Sequence, residues 1–146
     1  MERIKIISHH ALDLKKWDKA ILNSPFPLVF AQSFYLNATA PNWNALVLDN
    51  YKAVMPLTQA SKLNIKYLYQ PPFTSQLGIY GDVAKKEVEE IEAVLKKNYK
   101  FIEIEQNAHN KFQKNVKDKL TYVINYKKGY KFNDNTKRNI SKATKL

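Results

Sequence analysis

The sequence of 146 residues contains no cysteine. The chain can therefore form no disulfide, no thiolate metal site and no cysteine nucleophile, and this composition fits a reducing compartment. No apolar run approaches the roughly 20 residues that a membrane-spanning helix needs. The first residues, Met1–Lys5, lack the apolar core of a signal peptide. The expected location is the cytoplasm.

Glycine and histidine are also scarce, and this limits the chemistry available. The three glycines are Gly78, Gly81 and Gly129, so no P-loop and no glycine-rich phosphate cradle is present. Two of the three histidines, His9 and His10, are adjacent and point in different directions, and the third is far away in sequence. A metal site is therefore not expected. No Ser/His/Asp motif appears either.

The residues that are abundant predict a folded, basic domain. Apolar residues make up 45% of the chain, with nine Tyr, seven Phe and two Trp, enough for one domain with its own core. The formal net charge is +11, and residues 127–146 carry seven basic residues against one acid. This asymmetry favours a polyanionic partner such as a nucleic acid, a phosphorylated metabolite or an acidic membrane surface. The favoured alternative is a solvated, lysine-rich linker helix. The candidate contacts are Lys137, Arg138 and Lys142.

Hydrophobic periodicity predicts alternating strands and helices. Asp13 is positioned to cap a first helix that buries Leu14, Trp17 and Ile21, and Ser33 a second. Two apolar runs on either side of residues 49–51 predict a hairpin, with Pro56 at an edge or bulge. Further strands are predicted at 65–69, 100–105 and 120–126. The pattern indicates an α/β or α+β fold with one central, mostly antiparallel sheet flanked by helices.

A third helix is predicted from about residue 83 to 98, and a fourth from residue 136 to at least residue 145. Asp82 is the expected cap of the third, and Asp134 or Asn135 of the fourth. The acids of the third helix can be interpreted as a catalytic carboxylate pair or as a solvated face balanced by lysines. The solvated face is the favoured interpretation; these acids are Glu87, Glu89, Glu90 and Glu92.

The stretch 67–80 is the candidate ligand site. It begins as a strand, and Pro71 and Pro72 interrupt the ladder because neither has an amide hydrogen. A polar turn between aromatic rings follows, and small-ligand sites often have this composition. The alternative is an aromatic-rich crossover between two strands. The candidate substrate-binding residues are Tyr67, Tyr69, Gln70, Phe73, Thr74, Ser75, Gln76 and Tyr80.

Three segments, in this order, resemble the FemAB-like branch of the GNAT acyltransferase superfamily, in particular small members from Bacteroidetes-type bacteria. The first is the strand end Met55-Pro-Leu57. The second is the aromatic, proline-containing stretch 67–80, which ends near a glycine. The third and most distinctive is Lys137-Arg-Asn-Ile-Ser-Lys-Ala143, similar to the basic helix that leads into the second half of these proteins.

The resemblance implies a fold of two GNAT-like halves and about twice this length. Residues 1–130 would be the N-terminal half, which shapes the acceptor site, and residues 131–146 the basic connecting helix. The acyl-CoA or aminoacyl-tRNA donor would lie mainly on a second half. The chain is therefore expected to be a truncated or isolated half that is not catalytic alone. It would require a second half or a homo-oligomer.

Two alternatives remain at the level of sequence. A GNAT donor site needs a glycine-rich turn whose amides hold the pyrophosphate, and the nearest partial match, 75–81, leads toward the unfavourable charge of Asp82. If the chain were a stand-alone acyltransferase, Tyr69, Tyr80 or Glu103 would transfer the proton. If it were an RNA-binding module, the basic residues near the C-terminal end would contact phosphates.

Overall fold

A computed structural model describes residues 3–110, 112, 116–120, 129 and 131–144. The chain divides into two compact units, residues 1–116 and 117–146. Within the described residues, the first unit contains seven strands, three α-helices and two short 3-10 helices (His9–Ala11 and Val29–Ala31). A fourth α-helix lies in the second unit. The strands are β1 (Ile4–Ser8), β2 (Asn44–Leu48), β3 (Ala53–Leu57), β4 (Gln59–Lys62), β5 (Ile65–Leu68), β6 (Tyr80–Gly81) and β7 (Phe101–Ile102). The helices are α1 (Leu14–Leu22), α2 (Ser33–Thr39), α3 (Lys85–Asn98) and α4 (Asp134–Ala143).

The mixed α+β class is confirmed, but the strands form two sheets rather than one. The first sheet has the order β1-β2-β3-β6 and is antiparallel throughout. The second has the order β4-β5-β7, with β4 antiparallel and β7 parallel to β5. The two prolines that follow β5 cannot donate ladder hydrogen bonds. The chain therefore leaves the second sheet there and pairs with β3 only at β6.

The first sheet is the middle of three layers, because its side chains alternate between two cores. Leu46, Met55 and their neighbours pack against α3. Ala45, Val54 and their neighbours pack against α1 and α2, where Trp17 is fully buried. The prediction that α1 buries one face is therefore confirmed for Trp17 and Ile21.

The predicted hairpin is present as β2 and β3, with Leu48 paired to Ala53. Pro56 lies in β3 opposite Ala45, whereas the pairing of β3 with β6 ends at Val54. The missing amide of Pro56 therefore faces no strand of this sheet, as an edge position requires.

The observed N-caps differ from the predicted ones at two of the first three helices, where other groups bind the first amides of the helix. Asp13 caps α1, accepting the Lys16 amide at 3.1 Å. At α2, Ser33 is the first helical residue instead of the cap, because its amide donates to Asp18 at 2.7 Å. At α3 the predicted cap Asp82 is wrong: the helix begins at Lys85, and the Glu87 carboxylate accepts the Ala84 amide at 2.9 Å.

The fourth helix, considered by itself, begins at Asp134, so the predicted cap at Asp134 or Asn135 is wrong. Asn133 caps it, because its side chain accepts the Thr136 amide at 2.8 Å. It ends at Ala143, and the predicted extension to residue 145 lies outside the described residues. Most of the predicted strand 120–126 also lies outside them. Within the described part of the chain, no helix is both long enough and apolar enough to cross a membrane.

Candidate functional site

The strand part of the candidate stretch presents aromatic side chains on the outer face of the second sheet. Leu68 faces the core, so Tyr67 and Tyr69 point the other way. Their rings are 6.4 Å apart. Tyr67 pairs with Phe101 of β7, whose side chain is exposed. The sheet therefore places three aromatic rings together on one accessible face, which we call the outer aromatic face (Tyr67, Tyr69 and Phe101).

Gln70 holds the loop that follows instead of pointing freely toward a ligand. Its Nε2 donates to the Thr74 carbonyl at 2.7 Å, and its Oε1 accepts the Glu105 amide at 2.9 Å. Thr74 is buried, and its hydroxyl donates to the Pro72 carbonyl at 3.3 Å. Both residues close the loop and tie it to the chain after β7. Their side chains supply backbone hydrogen bonds that strand pairing cannot make where Pro71 and Pro72 interrupt it.

The tip of this loop exposes an aromatic ring. Phe73 is 91% exposed and adopts a φ of +58°, an unfavourable conformation for a bulky residue. The Tyr35 hydroxyl donates to the Phe73 carbonyl and fixes the tip against α2. Ser75 is exposed and Gln76 is half-buried. The accessible predicted residues of this loop are therefore Phe73, Ser75 and part of Gln76.

Tyr80 is separated from the other predicted site residues. Its ring is buried in the core beneath α1 and α2, whereas Tyr67 lies in β5 of the second sheet and Tyr69 follows that strand. Burial raises the pKa of the Tyr80 phenol, and the hydroxyl makes no hydrogen bond within the described residues. A phenol with a raised pKa in a closed core is unsuited to proton transfer at neutral pH.

Two asparagines after β7 hold the segment that leads into β6. Leu77 still bridges to Gln106 in parallel fashion. After that point Asn107 donates to the Ile79 carbonyl at 2.8 Å, and Asn110 donates to the carbonyls of Ile79 and Gly81 at 3.0 and 2.9 Å. Both asparagines are buried. These two side-chain amides thus hold the backbone at β6, where the pairing with β3 is only two residues long.

The start of α3 is occupied by a carboxylate of the chain itself. Besides the Ala84 amide, Glu87 accepts hydrogen bonds from Lys52 Nζ at 2.7 Å and from Arg3 Nη2 at 2.8 Å. Arg3 also pairs with Asp49 at 2.6 Å. These donors, Lys52 first, lower the pKa of Glu87 to about 2. Glu87 was predicted on a solvated face, but it is 8% exposed, and Arg3 and Lys52, which directly precede β1 and β3, supply its partners. Glu92, predicted on the same face, is also buried.

We expect the Glu87→Gln substitution to lower the free energy of unfolding by about 1–2 kcal/mol at neutral pH, since it weakens charge-assisted hydrogen bonds. The folded-state pKa lies below the ordinary value of 4.5. The carboxylate therefore stabilises the fold fully above about pH 5, and this contribution is lost as the pH falls toward 2.

Urea denaturation at neutral pH and near pH 3 measures this effect. The difference between wild type and Glu87→Gln should shrink at the lower pH. The control is Glu89→Gln, on an exposed position of the same helix. A difference that is unchanged by pH would contradict the assignment.

A lysine-lined cleft of about 490 Å³ lies between α1, the β2–β3 turn and the chain after β6. Lys16 and Lys19 project from α1, and Lys52, Tyr51 and Asp82 line the other sides. The sequence alone does not indicate this cleft, because its lysines lie on different helices, strands and turns. The spacing of Lys16 and Lys19, three residues apart on one helix, is the local pattern that could have indicated a basic surface there. A second groove, of about 440 Å³, runs along α3 and β7 and includes Leu95, Tyr99, Ile102, Ile104 and Phe112.

The predicted phosphate or RNA contacts lie on α4 and are all exposed. Lys137 pairs with Asp134 at 3.3 Å, and Arg138 donates to the Asn135 side chain at 2.9 Å. The helix has no buried residue, and Ile140 is 48% exposed. The basic side chains are thus accessible, and part of their hydrogen-bonding capacity is used within the helix.

Among the described residues, no group of His, Asp and Glu side chains could hold a metal ion. Comparisons with protein-family models, with curated proteins and with solved structures give no match to this chain. The FemAB-like resemblance therefore stays a prediction, which depends on the three sequence segments quoted above.

Proposed function

We propose that this chain is the acceptor-binding half of a FemAB-like acyltransferase and does not catalyse transfer alone. In this proposal an amine acceptor lies along the outer aromatic face and the loop 70–76. The acyl or aminoacyl donor is supplied by a second half, on another chain or in a further part of the same protein. Acyl transfer then forms an amide bond to the acceptor amine and releases the thiol or the tRNA hydroxyl.

The positions of the three resembling segments support this proposal. Met55–Leu57 forms the end of β3. The stretch 67–80 runs from β5 to β6 and passes from the second sheet to the first. Lys137–Ala143 lies within the basic helix α4. Each segment thus coincides with a defined element or junction, in the order that the resemblance implies.

The observation that carries the proposal is Glu87 at the start of α3. A GNAT donor site needs free backbone amides at a helix N-terminus to hold the pyrophosphate of CoA. Here the Ala84 amide is bonded to Glu87, whose pKa is about 2, so the carboxylate is ionised at neutral pH. A diphosphate would meet a negative charge at that position. The first half is therefore unsuited to bind the donor.

The accessible groups of the site suit an acceptor that is recognised by apolar contact and a few hydrogen bonds. The outer aromatic face offers ring surfaces, and Ser75 offers an exposed hydroxyl at the loop. Residues 67–81 contain no charged side chain. A strongly acidic acceptor would therefore find no counter-charge within this segment.

Titration monitored by backbone amide NMR tests the proposal. The probes are short peptides with a free amine and an aromatic or aliphatic side chain, acetyl-CoA and a labelled RNA hairpin. We expect the amine peptides to shift the resonances of residues 67–76 and acetyl-CoA to leave those of residues 81–88 unchanged. The chain alone should not acetylate any peptide.

Three outcomes would contradict the proposal. Turnover of acetyl-CoA by the chain alone would favour the stand-alone acyltransferase. RNA binding that weakens steeply with salt and shifts only α4 would favour the nucleic-acid module. The absence of any shift in residues 67–76 with every amine probe would remove the acceptor site.

A further inference from the structure

The cleft between α1, the β2–β3 turn and the chain after β6 has the size and composition of a small-molecule site. Its volume of about 490 Å³ lies within the usual range for ligand pockets, roughly 300–1,000 Å³. Ala20, Pro25 and Tyr51 supply apolar surface. The polar groups around this surface are few and come from all three sides of the cleft: Lys16, Lys19, Asn23, Asn50, Lys52 and Asp82.

Two of the three lysines are paired with carboxylates that do not line the cleft. Lys52 Nζ donates to the two carboxylate oxygens of Glu87 at 2.7 and 2.8 Å. Lys16 Nζ lies 3.8 Å from Asp13 and 6.0 Å from the centroid of the Tyr51 ring. Opposite charges at such distances offset much of each other's field. The three lysines together therefore overstate the positive charge that a ligand would meet.

The charges that remain are one cation and one anion. Lys19 projects from the last turn of α1, and Asp82 directly follows β6. Among the residues that the structure describes, neither side chain forms an ion pair or a hydrogen bond, with the other or with a third residue. The cleft thus presents opposite charges on two different sides, and these charges do not neutralise each other.

Two side-chain amides line the same cleft. Asn23 follows α1 and Asn50 lies in the β2–β3 turn, and neither side chain has a hydrogen-bond partner within the described part of the chain. The Lys52 amide donates to the Asp49 carbonyl at 3.1 Å and closes the turn. Asn50 and Tyr51 occupy its central positions with φ of 47° and 70°, as a type I′ turn requires. The turn therefore fixes the position from which the Asn50 amide can donate and accept.

A buried hydroxyl adjoins the end of α1. Ser24 lies between the lining residues Asn23 and Pro25 and is 7% exposed. Its Oγ has no hydrogen-bond partner among the described residues. Because buried hydroxyls are nearly always bonded to protein, water or ligand, this atom is a second indication, separate from the charges, that a polar molecule binds near the end of α1.

We infer that this cleft binds a small zwitterion, an α-amino acid or a short peptide that has a free ammonium and a free carboxylate group. Asp82 accepts hydrogen bonds from the ammonium group, and Lys19 donates to the carboxylate, and such charge-assisted bonds are the stronger kind. The amides of Asn23 and Asn50 bond the remaining polar atoms of the ligand. Its aliphatic part contacts Tyr51.

The unpaired charges favour a zwitterion over an ion of one sign. A phosphate group or a nucleic acid is attracted to Lys19 but meets the carboxylate of Asp82. A polyamine meets the opposite combination. A ligand of one sign therefore leaves one charge of the cleft unmatched, whereas a zwitterion matches both. The cleft shares no residue with loop 70–76, so the inference is independent of the proposed acyltransferase function.

Chemical-shift titration of the intact chain by backbone amide NMR tests the inference. The probes are alanylalanine, its N-acetyl derivative without the ammonium group, its C-terminal amide without the carboxylate, free alanine and inorganic phosphate. We expect alanylalanine or alanine to shift the resonances of residues 19–25, 50–52 and 81–82. Each derivative should bind about tenfold or more weakly than alanylalanine, and phosphate should not displace it. The order of alanine and alanylalanine shows whether an amino acid or a peptide is the better ligand.

The test variants are Asp82→Asn and Lys19→Gln. Their matched controls are Glu89→Gln and Lys15→Gln, at exposed positions that do not line the cleft. Asp82→Asn should bring the affinities of alanylalanine and its N-acetyl derivative within about twofold and keep the preference for the free carboxylate. Lys19→Gln should give the converse pattern. A general loss of folding cannot produce these crossed preferences, and the controls should change each affinity by less than about twofold.

Four results would overturn the inference. They are no shift in the cleft residues with alanine or alanylalanine, equal binding of alanylalanine and its two derivatives, the same losses with the control variants, and phosphate binding that exceeds alanylalanine binding and depends on Lys19. The last would indicate an anion site. Shifts confined to residues 67–76 would also contradict the inference while supporting the proposed acceptor site, so the two failures are distinguishable.

Discussion

Gly81→Ala should destabilise the first unit by about 3 kcal/mol or more, since overpacking and backbone strain act together. Gly81 has a φ of +124°, and a Cβ there would lie 2.5 Å from the Lys52 carbonyl oxygen and 2.8 Å from the Ala53 Cα. These are backbone atoms of β3 and its turn, so they cannot move aside without disrupting the pairing of β3 with β6. Gly81 is therefore required for strand packing.

Urea denaturation followed by tryptophan fluorescence measures this loss, because Trp17 and Trp43 are buried in the core next to β6. The control is Gly78→Ala in the same unit, where φ is +99° but the added Cβ would lie no closer than 3.4 Å to a neighbouring atom. The control carries the conformational strain without the steric clash. Equal effects of the two substitutions would show that the close approach of Gly81 to β3 is unimportant.

Asn107→Ala should lower the free energy of unfolding by about 2–4 kcal/mol, because it creates a small cavity and leaves buried groups unpaired. The Asn107 side chain is 1% exposed and donates to the Ile79 carbonyl. Its Oδ1 also accepts the amides of His109 and Asn110 at 3.0 and 3.1 Å. The substitution therefore removes the hydrogen bond to the residue before β6. It also removes the two bonds that hold the turn in which Asn110 lies.

The matched control is Asn98→Ala. Asn98 also donates a side-chain hydrogen bond to a backbone carbonyl, that of Val94 at 2.8 Å, but it is exposed at the end of α3. Water replaces that bond, so the control should change stability by less than about 0.5 kcal/mol. Chemical denaturation of both variants gives the comparison, and hydrogen exchange at residues 79–81 locates the loss. Protection that persists there in Asn107→Ala would contradict the role of this side chain.

The segment around Gly78 and Gly81 is packed against other parts of the protein and leaves no room for a phosphate group. Gly78 and Gly81 resemble part of a phosphate-binding turn in sequence, yet in the structure Gly81 packs on β3, and a Cβ at Gly78 would lie 3.4 Å from the Asn107 amide nitrogen. With Glu87 bound at the start of α3, the region is filled by protein groups. This arrangement is the physical basis for proposing that the donor comes from elsewhere.

Local signals predicted several elements correctly, because the residues that determine them are neighbours in sequence. The spacing of Trp17 and Ile21, with Asp13 before them, is sufficient to indicate α1 and its buried face. The hairpin of β2 and β3 follows from two apolar runs and a short polar turn. The interruption of the ladder at Pro71 and Pro72 also follows, since proline lacks the amide that pairing needs.

Within the site, sequence determined which residue types are present, and the tertiary structure decided what each one does. Gln70, Thr74 and Tyr80 have the composition of a ligand site. However, Gln70 and Thr74 close a loop, and Tyr80 faces the core of the first sheet. The separation of the strands into two sheets put Tyr67 and Tyr69 on one surface and Tyr80 in the interior.

The same reason explains the role of Glu87 and the meeting of two uncharged stretches of the chain. Helical periodicity places Glu87 among solvated acids, and only the approach of Lys52 and Arg3 from the first sheet makes it a buried, ionised cap. The sequence by itself shows that residues 20–48 and 67–81 contain no charged side chain. That these stretches meet at Tyr35 and Phe73 depends on contacts between residues far apart in the chain, which local propensity and periodicity do not specify.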